Sequence, residues 1–242
     1  MTKKYNVLLV VFLLFTSVFI SYFLYSFSSV KGMDKTYIKV ISKFDNLDTK
    51  EKEEKIINEL KEEFNNNDII GRLKIDGTTI DTVLVQASDN NYYLRRGLDG
   101  NYSDDGTVFM DYRNSFDDKK LLIYGHSYRN SLEGFSQLFL YEDKEFYNEN
   151  PYITLNLNGK TYKYLIFGVF SIYYNDDKYI HTKKDFRSDD DFLDHIKWIK
   201  DNSLYDTNVE VLKSDKILTI QTCYYNPNNS YFIVNAKLIK EA

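Results

Sequence analysis

Ile153-Thr154-Leu155-Asn156-Leu157-Asn158-Gly159-Lys160-Thr161-Tyr162-Lys163-Tyr164-Leu165-Ile166-Phe167-Gly168-Val169 reads as two strands joined by a tight turn. Ile153, Leu155 and Leu157 alternate with polar neighbours, which is the period of a strand with one buried face. Asn158-Gly159 suits a two-residue hairpin turn whose central residues both take positive φ. Thr161 to Val169 then resumes in β-branched and aromatic residues. The same texture spreads outward. Ile70 to Ile75 and Ile80 to Val85, around Asp76-Gly77, form a second hairpin-like pair. Thr107 to Asp111 and Lys120 to Tyr124 read as further strands. Asn208 to Leu212, Lys216 to Thr222 and Tyr231 to Leu238 close the chain. Tyr (22) and Phe (17) support a β-rich reading, and with only two Pro and ten Gly the chain is neither collagenous nor low in complexity. The expected fold is mainly β with inserted helices. About eight strands close into a barrel, because closure removes exposed edges.

Helices punctuate this pattern. Asp48-Thr49-Lys50-Glu51 reads as a capping box, and Ile56, Ile57, Leu60 and Phe64 follow at helical spacing. That predicts a helix from Thr49 to Asn65. Ala87 to Gly106 reads as loop with one helical turn. Leu132, Phe135, Leu138 and Phe139 predict a helix within Ser131 to Leu140, and Glu145 to Glu149 a short one stopped by Asn150-Pro151. Ser188 before three Asp residues caps a helix carrying Phe192, Leu193, Ile196 and Ile199. His195 lies on that helix and is expected at its surface. His181 lies in the loop before it.

The N-terminus has a different character. Val7 to Phe27 holds no charged residue. As a helix it would reach roughly 30 Å, the thickness of a bilayer's hydrocarbon core. Signal-peptide cores are shorter, about 7–15 residues, and no clear small-residue cleavage site follows here. We read 7–27 as an uncleaved transmembrane helix. Lys3 and Lys4 mark residues 1–6 as a cytoplasmic tail and put the rest of the chain outside the cell. Residues 28–68 then form a helical stalk. The net charge of -5 is spread along the chain, without the basic face that nucleic-acid binding requires.

Cys223 is the one cysteine, so an intramolecular disulfide is excluded. It ends the strand-like run Leu218-Thr219-Ile220-Gln221-Thr222-Cys223, and His126 ends Leu122-Ile123-Tyr124-Gly125-His126. A thiol and an imidazole at strand ends can meet at one rim of a sheet and act as nucleophile and acid–base partner. A buried, inert cysteine is the alternative reading of the same residue. No metal site is expected, since the three His are far apart and no C-x-x-C or H-x-x-H occurs. No phosphate-cradling loop and no G-x-S-x-G is present, and no cofactor is expected.

Taken together, these segments resemble the sortases, membrane-anchored cysteine transpeptidases of Gram-positive bacteria, and among them class B. Thr219-Ile220-Gln221-Thr222-Cys223 is similar to the family's T-L-x-T-C, and Tyr124-Gly125-His126 to its histidine motif. Asn90-Asn91-Tyr92-Tyr93-Leu94 with Gly106-Thr107-Val108-Phe109-Met110-Asp111 resembles the class B segment before that histidine, and an inserted helix near Ser188 is a class B trait. The resemblance implies a catalytic eight-stranded barrel over 69–242. Cys223 would be the nucleophile and His126 the acid and base. Asn90, Leu94, Tyr124 and Gln221 would line the peptide groove. It further implies cleavage of a C-terminal sorting signal, N-P-x-T-x in class B, after its Thr through a Cys thioester. The acyl group then passes to a peptidoglycan amine at the cell wall.

One position departs from the family pattern. Sortases carry an Arg on the strand after the cysteine, which positions substrate and stabilises the oxyanion. No Arg follows Cys223 here, and Tyr231 occupies the aligned place. Tyr231 or Arg129 would have to replace it. The alternative reading is a degenerate paralogue that binds sorting signals with little turnover.

Overall fold

A computed structural model describes residues 16, 39–40, 49–129, 133–175 and 180–241. The chain divides into two compact units, Met1–Leu47 and Asp48–Ala242. In the first, Thr16, Lys39 and Val40 are helical. The expected cytoplasmic tail, nearly all of the expected transmembrane helix and most of the stalk before Thr49 lie outside the described residues. No described helix is long and apolar enough to cross a membrane.

The second unit is a closed barrel. Its strands are β1 (Ile69–Ile75), β2 (Asp81–Val85), β3 (Phe109–Met110), β4 (Lys120–Tyr124), β5 (Tyr152–Leu157), β6 (Lys160–Tyr173), β7 (Ile217–Tyr224) and β8 (Ser230–Glu241). They close in the order β1-β2-β3-β4-β7-β8-β6-β5. The β5–β6 hairpin forms as the turn chemistry predicts, with Leu157 opposite Lys160 and positive φ at both Asn158 (49°) and Gly159 (71°). Two pairings are parallel, β2 with β3 and β4 with β7. The second sets Tyr124 level with Gln221.

Alternation along the strands divides the side chains between two cores. Leu73, Leu84, Ile123, Leu155, Leu218, Ile220, Phe232 and Val234 point into the barrel. Phe167, Ile217 and Ile233 face outward, beneath α3 (Asp189–Asp201), which supplies Phe192, Ile196 and Ile199. Ser188 caps that helix as expected, accepting from the Asp191 N–H at 3.1 Å. Helix α1 (Thr49–Phe64) ends a residue short of its expected end and buries Ile56 and Leu60. Arg72 of β1 binds Glu53 of α1 at 2.9 Å and grips Asp81 of β2. Helix α2 (Lys144–Glu149) is the short helix expected before Pro151.

Three expectations change. Asn208 to Leu212 is not a strand. The carbonyls of Val209 and Glu210 accept from Lys200 and Lys237 side chains (2.6 and 2.7 Å), and Val211 is buried against the outer core. Lysine ammonium groups there stand in for sheet partners, which leaves eight strands. The helix expected within Ser131 to Leu140 is a 3₁₀ segment, Phe135–Glu142. Phe135, Leu138 and Tyr141 recur every third residue and are all buried, which matches three residues per turn. His195 is buried rather than exposed. It stands three residues after Phe192 and four before Ile199, on the inward face of α3.

Candidate active site

The site forms where β4 and β7 end side by side. Because Tyr124 and Gln221 are paired in parallel, His126 and Cys223, each two residues further, come level on the barrel's outer face. The loop after β4 is fastened to β7 on both sides of the histidine. The Gly125 N–H donates to Gln221 O at 3.3 Å, and Thr222 Oγ1 donates to Gly125 O at 2.7 Å. Ser127 Oγ donates to Cys223 O, and the Tyr225 hydroxyl to Ser127 O at 3.0 Å. Both Cys223 and His126 are half-buried, so solvent and a peptide can reach them.

His126 Nε2 lies 2.6 Å from the carbonyl oxygen of Leu94. A carbonyl only accepts, so Nε2 carries the hydrogen and Nδ1 is left as an acceptor. Leu94 sits on a 3₁₀ turn, Tyr92–Arg95, held by the buried ring of Tyr93. The Tyr93 hydroxyl donates to Asp68 Oδ2 at 3.0 Å, and the Thr107 N–H binds Tyr93 O at 3.0 Å. The turn thereby fixes an acceptor that keeps one imidazole tautomer.

Asn90 and Tyr124 converge on Asp111, a residue that sequence reasoning missed as a site component. Its buried carboxylate accepts from Asn90 Nδ2 (3.1 Å), Tyr124 Oη (2.9 Å) and the Arg113 guanidinium (2.8 and 2.7 Å). Burial alone would raise its pKa; hydrogen bonds from the Arg113 side chain and backbone, Tyr124 and Asn90 outweigh burial and bring it to about 2. Burial and the Asp111 charge hold the Tyr124 phenol well above its ordinary range, so it remains a donor. Asn90 Oδ1 also accepts from the Tyr112 N–H at 3.0 Å. Asn90 and Tyr124 are therefore fixed parts of the wall. The Leu94 side chain is exposed beside the histidine, and Gln221 lies between Tyr124 and Ile233 on the outer face.

Tyr231 stands directly across from Cys223 on β8. Its ring is 4.4 Å from that of Tyr174 and 5.5 Å from that of His181. Tyr174 had no sequence signal beyond its place in a tyrosine pair, yet its ring packs on that of Tyr231, the residue paired with Cys223. Arg129 is committed elsewhere: Nη2 reaches Asn228 Oδ1 at 3.1 Å, and the guanidinium lies over the Tyr225 ring. Behind Tyr231, Lys120 is buried. Its Nζ lies 2.7 Å from His181 O and 2.9 Å from His195 Nε2. Burial first, then the nearby Lys183 and Arg113 charges, hold the Lys120 amine well below its ordinary range. Among the described residues, no group of three or more His, Cys, Asp or Glu is placed to hold a metal ion.

A cysteine and a histidine thus stand where two parallel neighbours end, at the rim of a closed eight-stranded barrel. A sortase-domain family model matches residues 73–239, and the chain belongs to the sortase family. It is 36% identical over 160 residues to sortase B of Listeria monocytogenes, covering 65% of this chain and 63% of that protein. It is 30% identical over 179 residues to sortase B of Staphylococcus aureus, covering 72% of each. The crystal structure of Clostridium perfringens sortase B superposes with a TM-score of 0.71 at 32% identity, over 76% of this chain and 99% of that one. These relatives place the chain with class B.

Proposed function

We propose that the chain cleaves a C-terminal sorting signal of the N-P-x-T-x kind after its Thr and transfers the acyl group to a peptidoglycan amine. In this reading Val7 to Phe27 anchors it in the cell membrane with the barrel outside. The supporting observation is the fastening of the His126 loop to the Cys223 strand, with Nε2 held by Leu94 O. Cys223 passes its proton to His126 Nδ1, and the thiolate attacks the Thr carbonyl. His126 returns the proton to the leaving amine as the C–N bond breaks, leaving a thioester. An incoming amine loses its proton to His126, attacks the thioester and expels the thiolate. Asn90, Leu94, Tyr124 and Gln221 line the path of the peptide.

The test is a panel of quenched N-P-x-T-x and L-P-x-T-x peptides on the full chain in detergent, with and without an amine. The expected result is a thioester mass on Cys223, absent in Cys223→Ala, that disappears when amine is added. The absence of an Arg after Cys223 supports a second reading, a binder of sorting signals with little turnover. Measurable peptide binding with no adduct from any signal decides for that binder.

A further inference from the structure

A thiolate and the oxyanion it creates both need a hydrogen-bond donor placed before the reaction begins. His126 is not free for that task, since one ring nitrogen is bound to Leu94 O and the other handles the thiol proton. Arg129 is held at Asn228 and Tyr225. The Tyr174 phenol remains: its ring packs against Tyr231, which is paired across from Cys223, and this brings a hydroxyl donor to the sulfur's side of β8.

Its position is built rather than incidental. β6 runs alongside β8 as far as Tyr173 opposite Ser230, and the Tyr174 N–H then donates to Asn229 O at 2.9 Å. This fixes the Tyr174 backbone one strand away from Cys223, with Tyr231 between, paired to Ile172 on one side and Cys223 on the other. The Tyr174 ring crosses that gap against the Tyr231 ring, 4.4 Å between centroids at 42°. Tyr231 is backed in turn by the buried His181 ring. Tyr231 therefore serves as a shelf that aims its neighbour. Burial, then the contacts with Cys223, keep the Tyr174 phenol protonated through neutral pH, so it can donate. Tyr174 is 37% exposed, which leaves the hydroxyl accessible from the peptide side.

We propose that Tyr174 is a catalytic residue: its O–H donates to the Cys223 thiolate and then to the carbonyl oxygen of the tetrahedral intermediate. The inference rests on the acyl-transfer reading above. As the C–S bond forms, the carbonyl π pair moves onto oxygen and receives the Tyr174 hydrogen bond. The pair returns as the C–N bond breaks, its electrons taken by the amine that His126 protonates. The phenol keeps its proton throughout.

The experiment compares the full chain with Tyr174→Phe, Tyr231→Phe and Arg129→Met in two assays. The first follows iodoacetamide alkylation of Cys223 against pH and needs no peptide. The second follows acyl-thioester formation by mass with an N-P-x-T-x peptide. Thermal melting checks that each variant is folded. Tyr174→Phe is expected to move the alkylation midpoint to higher pH and to slow acylation about a hundred-fold, the usual effect of losing one such donor. Tyr231→Phe, which keeps its ring, is expected to lose less. An unchanged alkylation profile with acylation within about threefold of the parent overturns the assignment, as does a larger loss in Arg129→Met or Tyr231→Phe. If the parent chain takes no acyl group from any signal, the transpeptidase reading fails. The alkylation midpoint still decides whether Tyr174 holds the thiolate.

Discussion

Replacing Asp111 by Ala should test the wall of the site most directly. The carboxylate is fully buried and accepts five hydrogen bonds: from the Arg113 N–H, Nε and Nη2, Asn90 Nδ2 and Tyr124 Oη. Removing one partner of a buried ionic network typically costs about 3–5 kcal/mol. Arg113 is 39% exposed and regains some hydration, which lowers the expectation to roughly 2–4 kcal/mol. The titration gives an independent figure. A carboxyl moved from 3.8 to about 2 on folding contributes on the order of 2 kcal/mol. The folded-state pKa is the lower one, so this stability is fully present above pH 4. It is lost as the pH falls from about 4 to about 2. Urea unfolding, followed by fluorescence of the single Trp198, measures both quantities. Asp111→Ala should be less stable at pH 7 by the stated amount and should show a shallower loss between pH 4 and 2. A difference under about 1 kcal/mol at pH 7, or the same acid loss in both proteins, refutes the account of Asp111 as the hub of the wall.

Lys120→Met removes a buried amine whose folded-state pKa is depressed. The unfolded chain holds that proton to higher pH, so the stability of the parent relative to the variant should rise with pH, by at most about 1.4 kcal/mol per unit. A difference that stays flat from pH 7 to 9 in parallel urea titrations would mean that the folded chain keeps the ammonium. Gly125→Ala places a methyl group 2.7 Å from the buried Phe135 ring, beside His126. Overpacking of about 1–3 kcal/mol should lower the melting temperature, and the displaced His126 loop should slow alkylation of Cys223. A variant that melts and alkylates like the parent shows that the Phe135 ring yields.

What could be read from the chain was set by local signals. Asn158-Gly159 dictates its hairpin, and Ser188 with the aspartates behind it dictates where α3 begins. Both depend on a few adjacent residues. His126 and Cys223 were legible because each closes a run of sequence with clear strand alternation. Asn208 to Leu212 was misread because alternation alone cannot reveal that Lys200 and Lys237 take its carbonyls. His195 was misplaced for a related reason: its spacing from Phe192 and Ile199 marks the inward face, but a polar residue was assigned to solvent. Asp111 meets Asn90 and Tyr124, and Tyr174 meets Tyr231, only through partners distant in sequence. No local pattern reports such contacts.

The parallel pairing of β4 with β7 has a consequence for how reactivity arises during folding. His126 and Cys223 are 97 residues apart in the chain, and the elements between them include a hairpin and α3. Contacts of such long range close late, after local hairpins have formed. Tyr174, just past the end of β6, comes to the Cys223 side only once β8 has docked between β6 and β7. A nascent or partly folded chain therefore carries an ordinary thiol, without base or donor. In the proposed reaction the sulfur gains its partners only with barrel closure, which makes its alkylation rate a clock for the last step of folding.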